Sequence, residues 1–222
     1  MGQRCSIARM KKVAVLGSGA VGETLAAGFM KHGHEVMRAS RDPAKLADWK
    51  AKAGDDAQTG TFAEAAKWGD LIVLAVKGDA AESAMELAGA DNTAGKTVLD
   101  TTNPIGGAPV NGVIPYFTKM DESLMERLQA KFPKAHFVKC FSSVGNARMV
   151  NPDYGGTKPT MFICGEDEGA KTDAKTVLDA FGWEAMDCGG VTAARAIEPL
   201  CILWCIPGFR ENLWTHAFKV LR

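Results

Sequence analysis

The sequence predicts an α/β fold, a doubly wound and mainly parallel sheet finished by C-terminal helices. Three observations carry this expectation. Short apolar runs alternate with helical periods along the 222 residues. The first run, residues 13–16, turns through closely spaced glycines directly into a helix. A later run, residues 71–76, is apolar at every position and bounded by Gly-Asp and Lys-Gly, which marks a parallel strand covered on both faces.

The elements follow in order. Residues 12–16 read as the first strand and 20–31 as a helix stopped by Gly33. Residues 35–39 read as the second strand, and Asp42-Pro43 opens a helix with an N-cap followed by proline at its first position. A short strand at 57–59, a helix from Thr61 to Trp68, the strand at 71–76, a helix at 79–88 and a strand at 97–100 continue the alternation. Residues 105–120 lack a period and read as an irregular segment. Beyond it come a helix at 122–131, a strand at 136–141, a Gly-, Asn- and Pro-rich loop at 142–159, a strand at 160–164, a helix at 167–181 and a strand at 184–187. The end reads as two helices, 192–206 with Pro199 as a kink or restart, and 209–220 after Pro207-Gly208. Residues 1–10 are expected to be a flexible extension, 11–190 one nucleotide-binding domain, and 191–222 a helical segment packed upon it. Met1-Gly2 with Ser6 fits a myristoylation pattern, which is read as an accidental match.

Composition removes several function classes. Lys plus Arg (26) equals Asp plus Glu (26), so there is no net basic charge to suggest nucleic acid as a partner. The longest apolar run, 200–206, falls well short of the roughly 20 residues that span a bilayer, so no membrane is expected. That run reads as a buried helix turn or a contact between two copies, and a homodimer through the C-terminal helices is expected. The six cysteines form no C-x-x-C pair and read as buried free thiols in a reducing cytosol, which places the protein in the cytoplasm. No metal site is expected.

The chemistry is concentrated after the first strand. Gly17, Gly19 and Gly22 stand in the spacing G-x-G-x-x-G between a strand and a helix, the context a dinucleotide fingerprint requires. Gly17 permits the tight turn, Gly19 lets a pyrophosphate approach the backbone, and Gly22 lets helix and strand pack closely. Gly17, Ser18, Gly19, Ala20, Val21 and Gly22 are therefore the candidate phosphate-binding residues of an NAD(P)-binding Rossmann fold. NAD sites carry an acid at the end of the second strand; here the sequence offers Ser40, Arg41 and, one turn on, Lys45. A hydroxyl, a guanidinium and an ammonium suit a 2′-phosphate, so NADP(H) is the expected cofactor. Ligands in such sheets lie beyond the carboxyl ends of the strands, which nominates residues 75–78, 101–107, 142–146 and 189–192 for the rest of the cleft.

These residues resemble the deazaflavin (coenzyme F420)-dependent NADP oxidoreductase family over roughly residues 10–222. The anchors are the glycine fingerprint, Ser40-Arg41 with Lys45, the strand at 71–76, residues 100–104 and Arg195-x-x-Glu198. The resemblance implies reversible hydride transfer between NADP(H) C4 and the deazaflavin C5, by ring stacking, without a catalytic nucleophile or a metal. It implies that Ala75, Val76, Lys77, Asn103 and Pro104 complete the cofactor site. Ser142, Val144, Gly190, Val191 and Thr192 would line the place of coenzyme F420, the small-molecule redox substrate. The archetypal enzymes carry histidine where this chain has Ser142. Two alternatives stand beside this activity: an NADPH-dependent flavin or ferric reductase of the same fold, and a non-catalytic NADP-sensing protein.

Overall fold

In a computed structural model the described residues are 11–54 and 57–221, so the expected leading extension lies outside them. The chain alternates strictly between strands and helices in its first half. It runs β1 (Lys12–Leu16), α1 (Ala20–Lys31), β2 (Glu35–Ala39), a 3₁₀ turn (Pro43–Leu46) into α2 (Ala47–Ala53), β3 (Ala57–Gly60), α3 (Phe62–Trp68), β4 (Leu71–Leu74), α4 (Ala81–Ala88), α5 (Ala90–Thr93) and β5 (Thr97–Asp100). The second half adds α6 (Leu124–Lys131), β6 (His136–Lys139), β7 (Thr160–Ile163), α7 (Glu168–Ala180), β8 (Glu184–Asp187), α8 (Ala194–Ile197) and α9 (Leu200–Glu211). The main sheet is parallel in the order β3-β2-β1-β4-β5-β6, with Val13 opposite Val36 on one side and Leu71 on the other. The strand order reverses between β1 and β4, so a crevice opens there at the carboxyl ends. β7 and β8 form a separate parallel pair joined to β6 through the antiparallel bridge Lys139–Cys164.

Alternate strand residues feed two apolar layers. Val13, Val15 and Val73 pack with Leu25 and Phe29 of α1 and Leu178 of α7. Ala14, Leu16, Ile72 and Leu74 pack with Ala65 of α3, Met85 of α4 and Leu128 of α6. This two-sided cover is why β1 and β4 read as uninterrupted apolar runs. Thr61 with Glu64, and Ser123 with Glu126, make reciprocal capping boxes that start α3 and α6.

The C-terminus differs from the expectation. One helix, α9, passes through Pro207 and ends at Glu211, with Asn212 in the left-handed conformation as its cap. Of the expected helix at 209–220, residues 209–211 finish α9 and the rest is a non-helical strap. It is held by the Thr160 amide donating to Phe218 O (2.8 Å), the Val220 amide donating to Thr160 Oγ1 (3.1 Å) and the Trp204 indole donating to His216 O (2.9 Å). Trp214 folds back onto Gly208, where a Cβ would meet the indole at 2.3 Å. The apolar spacing of Trp214 and Phe218 thus serves ring contacts with Trp204 and Phe162, not a helix face. The helical segment Val191–Glu211 is also longer than the sequence suggested, at 21 residues with mean hydropathy 1.2, long and apolar enough by those two measures to cross a membrane. Its inner face is buried within the protein at Ala194, Ile197, Glu198, Cys201, Trp204 and Cys205.

A buried ion cluster ties this segment to the sheet. Lys139 Nζ lies 2.7 Å from Asp100 Oδ2 and 2.9 Å from Glu198 Oε1, and donates to Thr102 O at 2.8 Å. All three side chains are sealed from solvent. Burial opposes the charge on Lys139, but Asp100 and Glu198 outweigh it and hold the ammonium pKa above its ordinary value. Lys139→Met keeps an unbranched side chain, one atom shorter, but leaves two carboxylates uncompensated. It should cost about 3–5 kcal/mol in urea unfolding followed by circular dichroism, and a loss below about 1 kcal/mol would refute the arrangement.

Candidate functional site

The cleft at the carboxyl ends of β1, β2 and β4 has a volume of about 700 Å³. It is lined by Gly17, Ser18, Gly19, Ala20 and Val21 from the first turn, Ser40, Arg41, Asp42 and Lys45 after β2, and Ala75, Val76 and Lys77 after β4. A second cleft of about 460 Å³ adjoins it, sharing Val76, Lys77 and Thr101 and extending to Asp79, Thr102, Asn103, Ile105, Gly106 and Gly107. Two connected volumes, one behind the glycine turn and one beyond β5, suit an elongated ligand with a partner at its far end.

The first turn owes its shape to close backbone approaches. Gly17 sits at φ +155°, and a Cβ there would lie 2.1 Å from Ala75 O. A Cβ on Gly22 would lie 2.5 Å from Gly17 O, so the start of α1 rests directly on the turn. Gly19 differs: a Cβ there meets nothing within 4 Å, because Gly19 faces the cleft. The amides at the start of α1 have no intrahelical acceptor and carry the positive end of the helix dipole toward that opening. An anion with a flat, linear shape fits a concavity that a side chain at Gly19 would occupy.

At the end of β2, Ser40 is buried and its Oγ accepts the Asp42 amide at 3.2 Å. Asp42 caps the following turn, accepting the Ala44 amide at 3.2 Å, as its position before proline suggested. Arg41 and Lys45 are exposed, line the cleft on either side of Asp42 and make no ion pair among the described residues.

On the far side, Asn103 lines the second cleft while its amide is engaged in joining loops. Nδ2 donates to Ser142 O at 2.9 Å, and Oδ1 accepts from Tyr116 Oη at 3.3 Å. Tyr116 Oη also donates to Glu198 O at 2.8 Å. Pro104, Ser142 and Val144 are buried behind this contact, and Ser142 Oγ has no hydrogen-bond partner in the described structure. Gly190, Val191 and Thr192 form a turn fixed by Glu166, which accepts the Val191 amide at 2.7 Å. Neither cleft is lined by Gly22, Pro104, Ser142, Val144, Gly190, Val191 or Thr192. Val191 nevertheless packs on the same apolar layer as Leu124, whose Cδ2 closes on Gly78 at the edge of the second cleft.

Sequence reasoning missed Phe62, Ala80, Ser83 and Ala84, which wall the first cleft from α3 and α4. Phe62 follows the Thr61 cap directly, so its place at the end of β3 was the available signal. Of the cysteines that end strands, Cys140 and Cys164 are buried as expected, whereas Cys188, just past the partly exposed β8, is exposed. Burial pushes the Cys140 thiol up, and the Cys164 thiol up to about 12. Among the described residues no group of three or more His, Cys, Asp or Glu side chains is placed to hold a metal ion.

Comparisons with known proteins give the family and the fold. The family description "NADP oxidoreductase coenzyme F420-dependent" matches residues 12–104. A structure from Arthrobacter sp. FB24, assigned as an F420-dependent NADP reductase, is 32% identical, superposes with a TM-score of 0.89, and covers 96% of this chain and all of its own. Metalloreductase STEAP3 of Rattus norvegicus is 29% identical over 201 residues, 88% of this chain, and the chain spans only 38% of that relative's length. A reductive aminase from Aspergillus terreus in complex with NADPH4, 20% identical with a TM-score of 0.63 over 90% of this chain and 61% of its own, shares the fold.

The glycines yield a paired expectation. Gly19→Ala should leave the melting temperature of the free protein within about 2 °C and abolish the stabilisation produced by dinucleotide. Gly17→Ala must displace the Ala75 carbonyl and should cost more than about 2 kcal/mol without ligand. Differential scanning fluorimetry with and without NADPH separates the two, and full ligand stabilisation of Gly19→Ala would contradict the assigned face.

Proposed function

The chain belongs to the coenzyme F420-dependent NADP oxidoreductase family, and from that premise we propose that it transfers hydride between C4 of NADPH and C5 of a deazaflavin. The observation that carries this reading is the pair of connected clefts, about 700 and 460 Å³, meeting at Val76, Lys77 and Thr101. The first holds the dinucleotide: amides of the glycine turn face the pyrophosphate, and Ser40, Arg41 and Lys45 face the 2′-phosphate. The nicotinamide end reaches Ala75, Val76 and Lys77, where NADPH when bound supplies the hydride. The flat acceptor occupies the second cleft, beside Thr102, Asn103, Gly106 and Gly107. The protein's part is to orient the two rings and exclude water between them, so no general acid or base is required of the side chains.

A second reading has its own support. The likeness to a metalloreductase favours an NADPH-dependent flavin or ferric reductase with the same cofactor half. Stopped-flow absorbance with NADPH and either coenzyme F420, free flavin or a ferric chelate distinguishes them. Fast deazaflavin reduction supports the first reading, and reduction of flavin or chelate alone replaces it with the second. Tight NADPH binding with no transfer to any acceptor would leave an NADP sensor.

Cofactor choice is testable separately. Arg41→Ala should weaken NADPH by about 1.5 kcal/mol, the lower end for a hydrogen bond to a charged group because the site is exposed, and leave NADH unchanged. Equal calorimetric affinity of the wild type for NADH and NADPH would end the assignment.

The C-terminal face supports a homodimer. Leu203, Phe209, Leu213 and Trp214 are exposed on and after α9, and Val110 and Val113 are exposed on the neighbouring hairpin, whose Gly112 lies against Phe209. A second copy seated on this face would cover it. Light scattering should give twice the 23.6 kDa chain mass at micromolar concentration; a monomer there would contradict it.

A further inference from the structure

Arg38 has no part in the fingerprint, yet its side chain is 1% exposed and lies directly beneath the phosphate-binding turn. Nε donates to Gly17 O at 3.2 Å and Nη2 to Gly19 O at 2.8 Å, so one guanidinium fixes both ends of the turn by its carbonyls. The Gly17 amide is itself tied to Ala39 O at 3.0 Å. With these groups held on the protein side, the remaining amides of the turn are left to the cleft. The guanidinium stacks 5.3 Å from the Trp49 ring centroid, which fills its other face.

The charge is compensated only in part. Its one carboxylate partner among the described residues is Glu23, at 3.3 Å, and that side chain is 58% exposed and so screened by water. The other partners are neutral carbonyls and an aromatic face. A buried cation in this condition favours an anion nearby, and the adjoining cleft is where the pyrophosphate lies in the reading above.

We propose that Arg38 is a positioning residue for dinucleotide binding. Through the Gly17 and Gly19 carbonyls it presets the turn, and it adds an under-compensated positive charge beneath the pyrophosphate. This rests on the assignment of the first cleft to NADP(H). Arg38 acts on the part common to NADPH and NADH, whereas Arg41 acts on the 2′-phosphate alone.

The test is calorimetric titration of wild type, Arg38→Leu, Arg38→Lys and Glu23→Gln with NADPH and with NADH. Arg38→Leu should weaken both ligands by the same factor, on the order of tenfold, so the NADPH-to-NADH preference stays at the wild-type value. Arg38→Lys, which keeps the charge but loses the fork, should recover part of the loss for both. Glu23→Gln, at an exposed position, should tighten both about twofold by freeing the guanidinium charge. Unchanged affinity for both ligands in the Arg38 variants would overturn the proposal, as would a loss confined to NADPH. If Arg38→Leu does not fold, an unaltered Arg38→Lys together with an unaltered Glu23→Gln overturns it equally. A wild type that binds neither nucleotide would instead remove the cleft assignment, and this proposal with it.

Discussion

Lys139 places a positive charge where no water reaches it, and much of the carboxyl-end architecture is arranged to compensate it. An ammonium has three donors, and here they meet Asp100, Glu198 and the Thr102 carbonyl. Both carboxylates also accept hydrogen bonds from the surrounding chain, although Asp100 Oδ2 itself has only the ion pair with Lys139. Asp100 Oδ1 accepts the Thr102 amide at 2.9 Å and its hydroxyl at 2.7 Å, while Glu198 accepts the Leu124 and Met125 amides, each at 3.0 Å. The two amides belong to the first turn of α6, whose dipole favours the second negative charge. One buried charge therefore fixes the end of β5, the loop that borders the second cleft, the start of α6 and the entry to α9. None of these can move alone, because each displacement would leave a partner charged and unpaired in a dry interior.

The first cleft is built by the same device on the opposite side of the switch point. Arg38, like Lys139, sits near the carboxyl end of a strand with its aliphatic stem in the core and its head against loop carbonyls. In both cases a cation ties main-chain oxygens inward, which leaves backbone amides and small residues for a ligand. The two differ in compensation. The Lys139 cluster, one ammonium held between two buried carboxylates, ties elements of structure together, while the one carboxylate that meets Arg38 faces solvent.

What the sequence disclosed follows from how local each signal is. The first strand, the glycine turn and the helix after it lie within twenty residues; Gly17 and Gly22 are required by close approaches to Ala75 O and to Gly17 O, while Gly19 is left open to the cleft. Ser40, Arg41 and Lys45 follow the second strand by simple spacing and line the first cleft. Arg38 was hidden because a charged residue inside a strand period reads as a solvent-facing position. Lys139 was hidden for the same reason, and its partners are 39 and 59 residues away in the chain. The strap after α9 imitated a helix because Trp214 and Phe218 are four residues apart, a spacing that here serves contacts with Trp204 and Phe162 on different elements. Asn212 in the left-handed conformation stops the helix, and asparagine is among the few residues that take that role without glycine.

The same contrast explains why the cofactor is easier to read than its partner. The dinucleotide half is assembled from consecutive strand–loop–helix units, so a short motif specifies it almost alone. The far side of the carboxyl-end face is assembled from loops that meet only in the folded protein: Asn103 with Ser142, Tyr116 with both Asn103 and Glu198, and Glu166 with the turn at Val191. All but the Tyr116–Asn103 contact use a main-chain group on one side, so in those the identity of one partner is free to vary while the loops stay in place. Residues 103 and 105–107 of the second cleft belong neither to the Gly17–Gly22 turn nor to the Lys139 cluster, so substitutions there leave both in place, whereas Thr102 is tied to that cluster. Under the proposed hydride transfer, the acceptor would be selected by shape and polarity around residues 101–107, which border the cleft beyond β5.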